Sequence, residues 1–257
     1  MALMHINTYS DTLRRAVKLD VILPDRRYGF EPPWKTLYLL HGMTDDKSTW
    51  QRRTSIERYA DEAGLAVIMP DTGLKWYTDT AWHEDYFSYV ADELPLMAER
   101  MLPGLSRERD RRYIAGLSMG GYGALKCALS RPDRYSMAAS LSGAVDVYDL
   151  AAQPALEQST QYWTDIFGDT DKIQGSNNDL FALAERCRAP RPKLFMWCGT
   201  EDFLYNANIR MRDHLIALGY DLSYSESAGD HQWKYWDREI QNVISWILSD
   251  GEARVCR

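Results

Sequence analysis

A serine between two glycines is the feature of this 257-residue chain that points most directly to chemistry. Gly116-Leu117-Ser118-Met119-Gly120 fits the pattern G-x-S-x-G, with an apolar run at residues 113–115 before it and a small-residue helical segment at 121–129 after it. Strand, tight turn and helix form the context in which this pattern exposes a nucleophilic serine near the positive end of a helix. The alternative is a glycine-rich turn without chemistry, and the partners of Ser118 must decide between the two.

A serine hydroxyl is a poor nucleophile at neutral pH, so Ser118 needs a general base within hydrogen-bond reach. His231 lies in a Gly-Asp-His loop between the last predicted strand and the last predicted helix. The carboxyl ends of parallel strands gather at one edge of a sheet, where the serine turn also opens. The sequence therefore predicts His231 as the base. Each of the remaining histidines has another plausible placement: His5, His41, His83 and His214.

An acid must orient the imidazole and stabilise its charged form. Asp202 follows the apolar run at residues 193–197 and is predicted to be this acid, with its neighbour Glu201 as the alternative. Three weaker competitors are Asp146, Asp149 and Asp230. The order Ser118, Asp202, His231 along the chain is the order found in α/β hydrolases.

The reaction also requires backbone N–H donors for the oxyanion that develops on the substrate. One donor is predicted to be the amide of Met119, directly after the serine, and the other an amide in the loop after the strand at residues 36–40. In that loop Met43 is the first choice and Gly42 the second.

Aromatic residues are plentiful, with 9 Trp and 16 Tyr, and some are expected to line a substrate pocket. The alternative for each is ordinary core packing, because buried Trp and Tyr also satisfy their polar edges. The predicted substrate-binding residues are Trp50, Trp76, Tyr77, Trp163 and Trp233, with Phe167 as a further candidate.

Continuous apolar runs separated by helical patterns predict an α/β fold with a mostly parallel eight-stranded sheet and helices on both faces. The predicted strands lie at residues 2–8, 16–23, 36–40, 65–69, 113–115, 136–141, 193–197 and 222–225. The first two are expected to form an antiparallel pair, and Pro95 is expected to kink or divide the helix over residues 84–102. Residues 1–257 are interpreted as one domain, with an insertion at about 146–189 over the active site, as a short cap.

The formal net charge of −7 and the pI near 5.3 argue against a nucleic-acid or anionic-membrane surface. No apolar run approaches the roughly 20 residues that span a bilayer, and the first residues do not resemble a secretory signal, so a cytoplasmic protein is expected. The oligomeric state is left open, and a homo-oligomer is compatible with the sequence. The cysteines Cys127, Cys187, Cys198 and Cys256 lack zinc or disulfide-framework spacing.

No metal and no cofactor is expected. Asp169-Thr170-Asp171 begins like a calcium loop, but Gln174 stands where that loop needs glycine and no glutamate closes it. His83-Glu84-Asp85 lacks a further ligand at useful spacing.

Four segments together resemble the tributyrin esterase family, within the esterase D-like α/β hydrolases that include S-formylglutathione hydrolases and feruloyl and acetylxylan esterases. They are LYLLHGMTDDKSTWQRRTSIERYA, YIAGLSMGGYGALKCAL, WCGTEDFLY and GDHQWKYW. The resemblance covers nearly the whole chain. It implies a cofactor-independent carboxylesterase for small acyl esters, with Ser118, Asp202 and His231 as nucleophile, acid and base, and with the amides of Met43 and Met119 at the oxyanion.

Two other functions stay open at this point. A thioesterase acting on S-formylglutathione would use the same machinery but would need a polar or basic lining for the glutathione carboxylates, and the sequence identifies none. A binding protein that keeps the fold without catalysis is the second alternative, which labelling of Ser118 by a fluorophosphonate would exclude.

Overall fold

The computed structural model describes residues 1–25, 29–153 and 159–251, and Cys256 lies outside them. The eight predicted strands are present and belong to one sheet. Their bounds are Ala2–Ser10 (β1), Arg15–Leu23 (β2), Lys35–Leu40 (β3), Leu65–Pro70 (β4), Arg112–Leu117 (β5), Met137–Leu141 (β6), Lys193–Gly199 (β7) and Leu222–Ser227 (β8).

The strand order in the sheet is β1-β2-β4-β3-β5-β6-β7-β8. β2 pairs antiparallel with both β1 and β4, and every pair from β4 to β8 is parallel. The predicted antiparallel pair at the start of the chain and the mostly parallel sheet are therefore confirmed. The carboxyl ends of β3, β5, β7 and β8 meet along one edge, so the loops that follow them are neighbours.

Helices cover both faces of this sheet. The α-helices are Thr49–Arg53 (α1), Ile56–Ala63 (α2), Tyr86–Ser88 (α3), Leu94–Met101 (α4), Met119–Ser130 (α5), Val147–Ala152 (α6), Thr160–Phe167 (α7), Leu180–Arg186 (α8), Tyr205–Ala217 (α9) and Trp233–Leu248 (α10). Side chains of α1, α2 and α10 form the core on one face, and those of α3 to α9 form the core on the other. Alternation along the strands supplies both cores; in β3, for example, Leu37 and Leu39 face one and Tyr38 and Leu40 the other.

Pro95 divides its helix as predicted. A π-helical turn over Tyr89–Glu93 joins α3 to α4, and Pro95 lies in the first turn of α4.

The segment between β6 and β7 contains α6, α7, a 3₁₀ turn at Thr170–Lys172 and α8. All three helices contribute buried side chains to the core on the α5 side of the sheet. Among the helices that the structure describes, none is long and apolar enough to cross a membrane.

Candidate active site

Ser118, His231 and Asp202 form one hydrogen-bonded chain at the carboxyl edge of the sheet. His231 Nε2 lies 3.0 Å from Ser118 Oγ, and His231 Nδ1 lies 2.8 Å from Asp202 Oδ2. The Asp202 side chain is fully buried, and its Oδ1 accepts a hydrogen bond of 2.9 Å from the Leu204 amide. With Nδ1–H donated to the carboxylate, Nε2 is free to accept the serine proton. The structure brings the three predicted residues together; their catalytic roles stay predictions.

The turn that carries Ser118 is strained and tightly packed. Ser118 has φ 52° and ψ −119°, a conformation that costs a non-glycine residue of the order of 1–3 kcal/mol. A Cβ on Gly116 would lie 2.3 Å from the carbonyl oxygen of Gly120, and one on Gly120 would lie 2.5 Å from that of Leu40. Glycine is therefore required at both positions, because strand β5 and helix α5 could not otherwise approach each other.

The loops that carry Asp202 and His231 are joined to each other. The Glu201 amide donates to the carbonyl of Gly229 at 3.0 Å, and the Glu201 carboxylate accepts a hydrogen bond from the Gly229 amide. A Cβ on Gly199 would lie 2.1 Å from the Gly229 carbonyl oxygen. This close approach fixes the distance between acid and base.

The loop after β3 passes directly beside Ser118. A Cβ on Gly42 would lie 3.7 Å from Ser118 Cβ. The His41 ring is buried and holds the loop, with Nδ1 2.8 Å from the Gly42 carbonyl and Nε2 accepting from the Thr72 amide at 3.1 Å. Both contacts suit a neutral ring, and burial lowers the pKa of His41.

The three candidate oxyanion donors are all available. The amides of Gly42, Met43 and Met119 donate no hydrogen bond to any residue that the structure describes. Unpaired amides beside a reactive hydroxyl are what an oxyanion hole requires. The choice between Met43 and Gly42 stays open, as it was from the sequence.

The predicted substrate-binding aromatics divide into buried and partly buried residues. Trp50 is fully buried in the α10-side core and donates its indole N–H to the Leu40 carbonyl at 3.0 Å. Tyr77 is also fully buried and donates its hydroxyl to the His41 carbonyl at 2.9 Å. The structure supports the core-packing alternative for both residues, and Tyr77 additionally holds the loop beside Ser118.

Trp76 and Trp163 belong to a buried aromatic cluster that joins the segment between β6 and β7 to the rest of the fold. They are 3% and 2% exposed, and the Trp76 ring centroid lies 5.2 Å from that of Trp163 and 5.9 Å from that of Phe167. Trp76 has a φ of 52°, and its indole N–H donates to the Tyr162 hydroxyl at 2.8 Å. These rings pack against one another, so core packing is the better interpretation of them too.

Trp233 is the partly buried member of the set. Its ring packs edge-on against Trp50 and Trp236, at 5.1 Å and 5.4 Å, and Trp236 packs edge-on against His231 at 4.8 Å. The ring of Trp236 therefore lies between Trp233 and His231, and Trp233 stays a candidate for substrate contact.

Two residues near the triad were missed by sequence reasoning. The Phe203 ring is 4.7 Å from the His231 ring although Phe203 is 62% exposed. The Tyr162 hydroxyl lies 3.8 Å from the Met43 sulfur, so helix α7 reaches the candidate oxyanion loop. The position of Phe203 directly after Asp202 is the one sequence signal that could have identified it.

The alternative acids and bases occupy other places. Asp146 and Asp149 bind Arg210 at 2.8 Å and 3.1 Å, and His214 Nε2 faces the Phe181 carbonyl at 3.2 Å. His5 pairs with Asp20 at 2.8 Å near the sheet edge. Within the described ranges, no group of three or more His, Cys, Asp or Glu side chains could hold a metal ion.

An eight-stranded, mostly parallel sheet with a serine on a strand-to-helix turn and a hydrogen-bonded Ser-His-Asp chain at its carboxyl edge defines a serine hydrolase of the α/β-hydrolase fold. Residues 10–246 match the Esterase family model. The chain belongs to this esterase family and is a carboxylic ester hydrolase, which confirms the resemblance to the esterase D-like group.

Relatives of known name agree with this assignment. An acetyl esterase of Caldicellulosiruptor saccharolyticus is 31% identical over 262 residues, covering 96% of this chain and 98% of that protein. The fluorophosphonate-binding serine hydrolase FphF of Staphylococcus aureus superposes with a TM-score of 0.89 at 35% identity. The S-formylglutathione hydrolase FrmB of the same organism superposes with a TM-score of 0.86 at 35% identity. Both alignments cover 96% of this chain and 98% of the relative.

Proposed function

We propose that this protein hydrolyses short-chain acyl esters, from acetyl to butyryl, or aryl and feruloyl esters, through an acyl-enzyme on Ser118. The observation that carries the proposal is the hydrogen-bonded chain from Ser118 Oγ through His231 to the buried carboxylate of Asp202. The natural ester is taken to be a small soluble molecule.

In the first half-reaction, Ser118 Oγ attacks the ester carbonyl carbon while its proton passes to His231 Nε2. Asp202 stabilises the imidazolium, and the amides of Met119 and of Met43 or Gly42 bind the oxyanion. The intermediate collapses by breaking the bond to the alcohol oxygen, which leaves with the proton from His231. Ser118 then carries the acyl group.

In the second half-reaction, a water molecule gives a proton to His231 Nε2 and its oxygen attacks the acyl carbon. Breaking the bond to Ser118 Oγ releases the acid and returns the proton to the serine. No cofactor enters this sequence of steps.

The packing of the buried aromatics favours small acyl groups. Trp76, Trp163 and Phe167 fill the space between helix α7 and the core by contacting each other, which leaves them unavailable as walls of a long slot. We therefore expect acetyl and butyryl esters to react at least about tenfold faster than octanoyl esters, measured as kcat/KM on 4-nitrophenyl esters, with a methyl ferulate assay for the aryl class. Equal rates on butyryl and octanoyl esters would contradict a short-acyl site.

The decisive variant is Ser118→Ala. Removal of a triad serine costs roughly 10⁶-fold in kcat elsewhere, so butyrate release should fall to background. A fluorophosphonate should label the native chain at Ser118, detected by mass spectrometry, and leave the variant unlabelled. Full activity in the Ser118→Ala variant would exclude the proposed mechanism.

A thioesterase of the S-formylglutathione hydrolase type is the second candidate, favoured by the 35% identity to FrmB. The two candidate functions can be distinguished by their substrates. The kcat/KM values for S-formylglutathione and for a matched oxygen ester should be compared on one enzyme preparation. A kcat/KM at least about 100-fold higher for the thioester would select the second candidate.

A further inference from the structure

A cavity of about 600 Å³ opens among α3, the carboxyl-terminal half of α5 and α8. Its wall contains Phe87, Leu129 and Leu183 as apolar residues and Lys126, Arg131 and Arg186 as cations. Its volume is within the range of small-molecule sites, which is roughly 300–1,000 Å³. None of the three triad residues lines it.

Lys126 is one of the residues that line this cavity, and its side chain is buried. The residue is 2% exposed, and its Nζ donates to Thr78 Oγ1 at 2.6 Å and to Asn178 Oδ1 at 2.7 Å. Both acceptors are neutral, and the Asp79 carboxylate, whose charge favours the protonated form of Lys126, forms no ion pair with it among the described residues. An ammonium has three donors, so one remains after these two bonds.

A buried charge without an opposite partner is unfavourable, and proteins pair such charges with counter-ions or ligands. Phe87 and Tyr122 offer their ring faces to Lys126 Nζ at 5.3 Å and 5.4 Å, which offsets part of the lost hydration. The remaining donor and the unneutralised charge are what an incoming anion would satisfy.

The other charges of the wall leave a positive excess. Arg131 is paired with Asp92 at 2.8 Å and 2.9 Å, whereas Arg186 donates to the carbonyl groups of Gly175 and Ser176. Asp79 accepts two hydrogen bonds from Ser88, at 2.9 Å and 2.7 Å. Among the residues that line the cavity, three are cations and Asp79 is the one carboxylate, and the Asp92 carboxylate that pairs with Arg131 lies outside this lining.

We propose that this cavity is a second binding site, separate from the esterase centre, for a small organic carboxylate with an apolar body. The carboxylate pairs with the Lys126 ammonium, and the apolar body lies against Phe87, Leu129 and Leu183. The proposal does not depend on the catalytic roles of Ser118, Asp202 and His231.

The test is calorimetric titration of benzoate, with neutral benzamide as the matched control ligand. Benzoate should bind the native chain and the Ser118→Ala variant with equal affinity, and benzamide should bind at least tenfold more weakly. Lys126→Met keeps the length of the side chain and removes the charge, so the Kd for benzoate should rise at least tenfold.

A second variant keeps the test decisive if Lys126→Met does not fold. Ser130→Trp places a large ring at the cavity wall without changing Lys126, and it should also abolish benzoate binding. No benzoate binding to the native chain, an unchanged Kd in both cavity variants, or loss of binding in Ser118→Ala alone would each overturn the proposal.

The pH dependence of benzoate binding gives an independent readout. Burial lowers the pKa of Lys126 to about 7, and a bound carboxylate favours the charged ammonium. The Kd should therefore rise by up to about tenfold per pH unit above pH 7.

Other titratable groups near Lys126 do not change this expectation. The charged and titratable groups around Lys126 on the packed elements are Asp79, Asp92, Tyr122, Cys127, Arg131, Asp179, Arg186 and Cys187. Burial raises the pKa of Tyr122, Cys127 and Cys187, so these three stay uncharged between pH 6 and 8.

Discussion

At the scale of single residues, the site depends on which of two adjacent carboxylates reaches the imidazole. Asp202 is buried and bonded to His231 Nδ1, whereas Glu201 lies at the surface and binds the Gly229 amide. The two side chains point to different partners because adjacent residues in a turn leave the backbone in different directions. Only the buried one can hold the ring and its charge.

This difference predicts the outcome of two matched substitutions. Asp202→Asn should lower kcat by about 10⁴-fold, because the amide favours the wrong imidazole tautomer. Glu201→Gln retains an oxygen acceptor for the Gly229 amide and should lower kcat less than about tenfold. Both are measured as kcat on a butyryl ester with folding checked by circular dichroism. An equal loss in the two variants would contradict the assignment of Asp202.

Phe203 is a candidate contact for the alcohol portion of the substrate. In the proposed mechanism His231 Nε2 gives its proton to the leaving alcohol, so we expect the alcohol portion of the ester to lie beside the exposed ring of Phe203. Phe203→Ala should lower kcat/KM for benzyl butyrate by roughly 5- to 30-fold, from about 1–2 kcal/mol of lost apolar contact. Methyl butyrate should change little.

The matched control for Phe203 is Leu96→Ala, since Leu96 is similarly exposed at 58% but lies on α4. That variant should leave both esters unaffected. Equal losses on benzyl and methyl butyrate in Phe203→Ala would show that the ring does not contact the alcohol.

At the scale of elements, the crossing of β5, α5 and the end of β3 determines where the serine is held. Gly116 and Gly120 allow backbone to touch backbone there, and the strained φ of Ser118 is maintained because its own amide donates to the Leu141 carbonyl at 2.9 Å. Its carbonyl in turn accepts from the Ala144 and Tyr122 amides at 3.0 Å and 3.1 Å. The neighbouring strand and helix thus stabilise a conformation that the serine alone would not adopt.

Gly116→Ala tests this crossing. The new methyl group would lie 2.3 Å from a backbone oxygen, so the elements must separate, and we expect the free energy of unfolding to fall by about 3 kcal/mol or more. The esterase activity of the variant should also be lower than that of the native chain. Urea denaturation measures the loss.

Gly219→Ala provides the contrast, because nothing lies within 4 Å of its added Cβ and only its φ of 72° resists substitution. Its cost should be about 1–2 kcal/mol, with activity retained. A Gly116→Ala variant no less stable than Gly219→Ala would contradict the steric argument.

At the scale of the whole molecule, one buried cation is expected to govern the pH dependence of stability near neutrality. The pKa of Lys126 is lowered by burial to about 7 from 10.5 in the unfolded chain. Between these values the unfolded state binds the extra proton, so the free energy of unfolding should increase with pH, by up to about 1.4 kcal/mol per unit. The destabilisation is fully present below pH 7 and disappears toward pH 10.5.

Urea denaturation at pH 6.5, 7.5 and 8.5 measures this slope, and Lys126→Met should flatten it. Above that range the buried thiols of Cys127 and Cys198 act in the opposite direction, because burial raises their pKa values above that of the unfolded chain. A native chain whose stability does not change between pH 7 and 8.5 would show that burial does not lower the pKa of Lys126.

The fold and the triad could be predicted from the sequence to a large extent. Continuous apolar runs identified the central strands β3 to β7, since burial on both sheet faces leaves a strong one-dimensional pattern, and alternating segments identified β1 and β2. Ser118, Asp202 and His231 each follow a predicted strand, and parallel strands bring such positions to one edge. Local pattern and topology were therefore sufficient to choose them.

The roles of the aromatic residues could not be predicted in this way. Trp50, Trp76, Tyr77 and Trp163 are buried in core clusters, while Phe203 is exposed against His231. Composition gives the number of aromatic side chains. Whether one of them is buried in the core or lines a cleft depends on residues that are distant in the chain. The prediction of a cytoplasmic location and the oligomeric state likewise stay open.

The sequence by itself determined the order of strands along the chain, the serine turn and which aspartate and histidine lie beside it, because each depends on local spacing and on the shared edge of a parallel sheet. Only the tertiary structure decided which rings surround His231, how helix α7 reaches Met43, and that Lys126 opens onto a cavity without a carboxylate partner. These features arise from contacts between segments far apart in the chain, and no local pattern of residue types encodes such contacts.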